Sequence, residues 1–339
     1  MKRSVWKSHL IALSIALLTC FGLVGLSVLP AWAAAGTVTQ FTTPTKSAPI
    51  GITAGPDGNV WFTDIIAGAG NIGRITPGGA FTIFPIPLAS SSPDGITAGP
   101  DGNLWFAEEG VDDIGRITPG GSITEFPTNS ESVGITAGPD GNLWFTASGE
   151  IGRITPAGVS TEFPIQTKSS VPNGITAGPD GNLWFAEELG NKIGRITTSG
   201  KITEFALPTN CGDASFGCEP FSITAGPDGN LWFTELNGNK IGRITPAGTV
   251  TEFPLVATCV FAVGCGPDGI TAGPDGNLWF TEFDSNVIGR ITTGGSFSGF
   301  GIPTATGVKS RSEGITVGPD GNIWFAEENA SKIGRITTK

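Results

Sequence analysis

Residues 222–254 read SITAGPDGNLWFTELNGNKIGRITPAGTVTEFP, and this stretch decides the fold. Four short strand-forming runs alternate with three turn signals. Ile223-Thr224-Ala225 is small and suits a crowded position. Gly226-Pro227-Asp228-Gly229 is a turn: proline presets φ, aspartate bonds its own backbone and glycine supplies a positive φ. Leu231–Glu235 is a second strand, with aromatic residues suited to packing between layers. Asn237-Gly238-Asn239 turns into a third strand, Ile241–Thr245, and Pro246-Ala247-Gly248 turns into a fourth, Val250–Phe253. Pro254 ends it, because proline lacks a ladder donor.

Working outward, the same unit recurs seven times. Gly-Pro-Asp-Gly carries Asp57, Asp101, Asp140, Asp180, Asp228, Asp275 and Asp320, and a Trp-Phe pair follows each. The tryptophans, Trp61 to Trp324, are spaced by 44, 39, 40, 48, 47 and 45 residues. Each unit continues to Ile-Gly-Arg-Ile-Thr. A period in the forties with several strands per unit is the signature of a β-propeller. The last unit stops at Thr337-Thr338-Lys339 without a fourth strand, and Val38-Thr39-Gln40-Phe41 matches the missing piece, as in Ile123-Thr124-Glu125-Phe126. The expected architecture is all-β: a seven-bladed β-propeller of four-stranded antiparallel blades over residues 34–339. The N-terminal strand completes the last blade and closes the ring, which removes open sheet edges.

Composition agrees. The 339 residues include 52 Gly and 25 Pro, as repeated turns require, and 9 Trp with 21 Phe, too much apolar mass for a disordered chain. Glycine has no three-residue period, which excludes collagen. Residues 1–33 stand apart: Lys2, Arg3 and Lys7 precede an apolar run, and Ala31-Trp32-Ala33 offers a small-residue cleavage site. This reads as a secretory signal peptide, although the run is also long enough for an uncleaved membrane anchor. The segment holds three of the 19 basic residues, none of the 30 acids and the one histidine, His9. The remainder carries a balance of −14 and no histidine. Such a surface disfavours nucleic acid, which needs basic stripes. It suits a secreted or extracytoplasmic monomer, in contact with membrane only if the leader stays attached.

Cys211, Cys218, Cys259 and Cys265 lie in the two longest connections. An even count in an exported chain suggests disulfides, with three possible pairings. The local pairs Cys211–Cys218 and Cys259–Cys265 are favoured over a metal site. For ligand chemistry, two sets of residues belong at one end of the channel. One ends the second strand: Asp64, Glu108, Glu187, Glu235, Glu282 and Glu327, with Ala147 in the third blade. The other precedes the first-strand glycine or Ser222: Ile50, Asp94, Val133, Asn173, Phe221, Asp268 and Glu313. Together they are expected to ring one face with carboxylates. These either hold a divalent cation through oxygen ligands or are architectural, each pairing with an Ile-Gly-Arg arginine or capping a turn. The unrepeated positions are the better functional candidates.

The repeated Gly-Ile-Thr-Ala-Gly-Pro-Asp-Gly-Asn-Leu-Trp-Phe-[Thr/Ala]-Glu, followed by Ile-Gly-Arg-Ile-Thr and Thr-Glu-Phe-Pro, resembles the virginiamycin B lyase (streptogramin lyase) family. The resemblance implies a seven-bladed propeller. Its characterised enzymes linearise a cyclic depsipeptide by elimination across an ester, with Mg2+ as cofactor. The family pattern Glu-x-His-Gly-Ile, counted from the C-terminus, puts Glu313 at the base position, Arg311 and Glu327 at the metal carboxylates and Asp268 at a second histidine. A second register has both carboxylates, Glu219 and Glu235, with Phe221 at the base position. Neither register supplies a histidine, the side chain whose pKa best suits a base at neutral pH. The expected function is therefore an exported virginiamycin B lyase-like propeller that binds a small-molecule or peptide ligand or a partner at the channel mouth and is not a competent lyase. The alternative is a Mg-dependent lyase opening a depsipeptide or lactone ester, with Glu313 or Asp268 as a carboxylate base.

Overall fold

A computed structural model of the chain describes residues 36–66, 69–208, 211, 217–255, 266–283, 285–303 and 309–338. The leader and the Cys259–Cys265 pair lie outside the described residues. Among those residues there is no helix long and apolar enough to cross a membrane.

Twenty-eight described strands form seven four-stranded sheets. In chain order the blades occupy residues 48–89, 93–127, 132–164, 172–206, 220–254, 267–301 and 312–336, the last completed by Val38–Thr42. Val38–Thr42 pairs antiparallel with Lys332–Ile336, Gln40 opposite Gly334 and Phe41 opposite Ile333. The ring therefore closes as the sequence implies. In the fifth blade the inner strand starts at Pro220 and the third at Lys240, slightly earlier than the sequence suggests.

The repeat residues explain how the blades stick together. On one face of each blade, the second-strand tryptophan stacks on the outer-strand phenylalanine, as in Trp184–Phe205 at 5.5 Å. The arginine of Ile-Gly-Arg lies over both rings: Arg195 stands 5.4 Å from Trp184 and 5.5 Å from Phe205. Its Nη1 then reaches forward and donates to the Pro246 carbonyl of the next blade at 3.0 Å. Arg335 makes the equivalent bond to Pro77, across the closure, at 2.8 Å. On the opposite face the Phe of Trp-Phe lies over the glycine of Ile-Gly-Arg. A Cβ on Gly194 would stand 2.0 Å from Phe185 Cζ, so only glycine fits. The core thus lies between blades; Trp184 and Ile193 of the fourth pack with Leu231, Phe233 and Ile244 of the fifth.

The Gly-Pro-Asp-Gly aspartate does more than turn the chain. Asp180 Oδ1 accepts from Trp184 Nε1 at 3.0 Å and from the Asn182 backbone N–H at 3.2 Å, and its Oδ2 accepts from Asn182 Nδ2 at 2.8 Å. Arg195 stands 3.8 Å away. The repeated arginines therefore face these turn aspartates, and not the second-strand acids that the sequence had offered as partners.

Cys211 and Cys218 form a disulfide in the connection entering the fifth blade. A disulfide points to an oxidising, extracytoplasmic setting.

Candidate functional site at the channel mouth

The inner strands carry one irregularity that builds the site. In every blade the pairing of inner and second strands shifts register. In the fifth, Pro220 faces Glu235 and Ile223 faces Phe233, so Phe221 and Ser222 together oppose Thr234. This is a β-bulge, which re-aims side chains and bends the strand. The bulge residues are those preceding the first-strand glycine or serine. All seven, Ile50, Asp94, Val133, Asn173, Phe221, Asp268 and Glu313, line one cavity of about 550 Å³ at the end of the channel. Below it the channel narrows to a ring of consecutive inner-strand residues, Gly51-Ile52 to Gly314-Ile315, with Ser222 in place of glycine in the fifth blade.

The second-strand acids are elsewhere, and this corrects the expected ring. Asp64, Glu108, Glu187, Glu235, Glu282 and Glu327 are fully buried inside the blades, and none lines the cavity. The strand alternates, so these acids share the face of Val60 and Phe62 and their equivalents, towards the body of the blade. Glu327 illustrates the environment: Gln40 Nε2 donates to its two carboxylate oxygens at 2.9 and 2.8 Å. Glu235 lies 3.7 Å from Lys240, and its carboxylate is close to the Cys211 and Cys218 sulfurs. The residue one step further on reaches the cavity instead: Glu109, Glu188, Leu236 and Phe283 are among its lining. Those positions vary between blades and had no repeat signal to mark them.

Three acids therefore converge at the mouth from the bulges, Asp94 of the second blade, Asp268 of the sixth and Glu313 of the seventh. Burial raises the pKa of Asp94 to about 7, helped by Glu109. Asp268 rises to about 8, first through burial, then through repulsion by Asp94 and Glu328, with Arg311 opposing. Glu313 is raised well above the usual carboxylate range by burial and by Asp268. Arg311 sits beside them, 3.3 Å from Glu328 and with its guanidinium 4.2 Å from the Phe283 ring centroid.

Two histidine positions implied by the resemblance thus hold Asp268 and Glu313, side by side in adjacent blades. The implied magnesium ligands do not fit around them. Arg311 presents a cation where one carboxylate is required, and Glu327 is turned to Gln40 and away from the cavity. In the other register, Glu235 is held beside Lys240, and Glu219 does not line the cavity. Glu219 has a left-handed backbone (φ 51) and its carbonyl accepts from the Leu236 N–H at 2.9 Å.

A model of the virginiamycin B lyase family matches residues 67–214 and 213–339. The chain belongs to the virginiamycin B lyase family. Solved relatives agree. A streptogramin B lyase structure is 36% identical, with a TM-score of 0.81, covering 89% of this chain and 98% of the other. The virginiamycin B lyase of Staphylococcus aureus is 39% identical, with a TM-score of 0.80, covering 89% and 99%. A catalytically inactive histidine-to-alanine variant of that lyase, solved with quinupristin, aligns equally well, at 39% identity and a TM-score of 0.80 over the same shares of the two chains. A search of curated proteins gives no match.

Proposed function

We propose that this member of the virginiamycin B lyase family is an exported, monomeric propeller that binds a small-molecule or peptide ligand in the channel-mouth cavity without catalysing the family's elimination. The observation that carries this reading is the content of the mouth: Asp268 and Glu313 where the resemblance implies histidines, and Arg311 where it implies a metal carboxylate. Elimination needs a base that accepts the proton alpha to the ester carbonyl. Burial and the neighbouring Asp268 push the Glu313 carboxyl well above the usual carboxylate range, so with no further cation beside it the protonated form, too weak a base for that task, is favoured. A cavity of about 550 Å³ is in the size range of small-molecule sites, ~300–1,000 Å³.

The test is to incubate the purified protein and Mg2+ with a streptogramin B and to follow linearised product by mass spectrometry. No product above the protein-free control is expected. Metal-dependent product that disappears in Glu313→Gln would establish the lyase reading, with Glu313 acting on the substrate.

A further inference from the structure

The residues of the mouth follow a rule that links neighbouring blades. The second-strand residue between Phe and the acid is threonine in four blades and alanine in three. Each threonine hydroxyl donates to the bulge carbonyl of the next blade: Thr63 to Asp94, Thr146 to Asn173, Thr234 to Asp268 and Thr281 to Glu313, all at 2.7 Å. The same hydroxyl accepts the bulge N–H of its own blade, as Thr234 does from Ser222 at 3.0 Å. Where the position is alanine, at Ala107, Ala186 and Ala326, the next bulge residue is Val133, Phe221 and Ile50. Every polar mouth residue is therefore latched through its backbone by the preceding blade, and every apolar one is not. The polar residues are held in place as a set.

What they are held for follows from what they lack. Asp268 is only 7% exposed, lines the cavity and has no side-chain hydrogen-bond donor among the described residues. Its surroundings are other acids, Asp94, Glu188 and Glu328, and one cation, Arg311, which is already 3.3 Å from Glu328. A carboxyl buried without a donor is costly, and a positive charge entering the cavity would remove both the desolvation and the mutual repulsion. Glu109 and Glu188 add to the negative charge of the lining, and Phe221, Leu236 and Phe283 give it an apolar side. Arg311 over Phe283 is an internal example of a cation on an aromatic face here. A hydrated divalent ion would leave those apolar walls unused, and Arg311 would repel its double charge more strongly than a single one.

We infer that the mouth recognises an organic cation, an ammonium or guanidinium group on an apolar arm, with Asp94, Asp268 and Glu313 around the charge and Phe221, Leu236 and Phe283 against the arm. Thr63, Thr234 and Thr281 are positioning residues for the three acids. This inference rests on the mouth being the binding site, as proposed above.

The probe is phenethylammonium, with 2-phenylethanol as its neutral match, titrated by calorimetry at fixed salt. The ammonium is expected to bind at least tenfold more tightly than the alcohol. Asp268→Asn with Glu313→Gln should reduce its affinity to that of the alcohol. Thr234→Val should weaken the ammonium about threefold without changing the alcohol, and Thr234→Ser should restore it. Melting curves establish that each variant is folded. Equal binding of both probes, abolished by Val133→Trp, would overturn the cation inference and leave the binding reading standing. Binding of neither probe to the folded protein would overturn both. Mg2+ that binds the acids and excludes phenethylammonium would also overturn the inference.

Discussion

At the scale of single residues, the repeat separates side chains that must be what they are from side chains that are tolerated at a cost. Gly194 belongs to the first kind. Its missing Cβ is the space in which the Phe185 ring lies. Gly194→Ala should therefore destabilise the protein by about 1–3 kcal/mol, the usual cost of overpacking a core, read as a lower denaturation midpoint in urea. Glu108 belongs to the second kind. It is fully buried, and both its carboxylate oxygens lack a hydrogen-bond partner. Burial, followed by repulsion from Glu125 and Asp113, raises its pKa to about 8. Unfolding returns it to its ordinary value, so its ionisation above that value opposes folding increasingly up to about pH 8. Glu108→Gln should raise the melting temperature at pH 8 and change it far less at pH 5. The third blade already has Ala147 at this position, which shows that the acid is not needed to build a blade. A larger gain at pH 5 than at pH 8 would refute this account.

At the scale of the elements, the closing strand Val38–Thr42 carries more than its five backbone pairs. Phe41 stacks on Trp324 at 5.6 Å, Arg335 lies 5.5 Å from the Phe41 ring, and Gln40 bonds Glu327. Deleting residues 36–42 removes all of these and bares the edge of Lys332–Ile336. Such an edge pairs readily with other chains. The truncated protein should melt at least 10 °C lower and form oligomers on size exclusion; an unchanged monomer would show that closure contributes little. These elements were legible in the sequence because each has a chemical signature. Gly-Pro-Asp-Gly sets the turn, Trp-Phe the second strand and Gly-Arg the third, and Val38–Phe41 visibly lacks a partner of its own. The bulges were not legible, since a run such as Phe221-Ser222-Ile223 does not announce that two of its residues will face one. The placement of the mouth residues was nevertheless readable, because Asp94, Asp268 and Glu313 break the repeat. The direction of Glu108 or Glu327 was not: alternation says that it shares a face with Phe106 or Phe325, but not which way that face looks. The spacing of four residues from Asp180 to Trp184, kept in all seven blades, was the unused sign that the turn aspartate receives the indole N–H.

At the scale of the whole molecule, two sets of carboxyls pull stability in opposite directions with pH. The turn aspartates, such as Asp180 and Asp228, have pKa values lowered by bonds from Trp and Asn, which outweigh their burial. They stabilise the fold above their unfolded pKa, ~4, and lose that contribution as pH falls through their folded values. The buried acids work in reverse. Asp94 is raised to about 7 and Asp268 and Glu187 to about 8, so the folded chain binds more protons than the unfolded one across that interval. Stability should be greatest near pH 5 and decline steadily towards pH 8, as calorimetric scans across this range can establish. A plateau from pH 5 to pH 8 would contradict the raised values. One consequence of the ring concerns time. The N–H of Thr37 donates to Thr337 Oγ1 at 2.9 Å, across a separation of 300 residues. The first strand to be synthesised is thus the last to find its place. Blades one to six can assemble in order as the chain is made, while the seventh waits half-built for a segment made before any of them. The interval before that meeting is when the chain is most exposed to wrong partners, and it lengthens with every residue between the two ends.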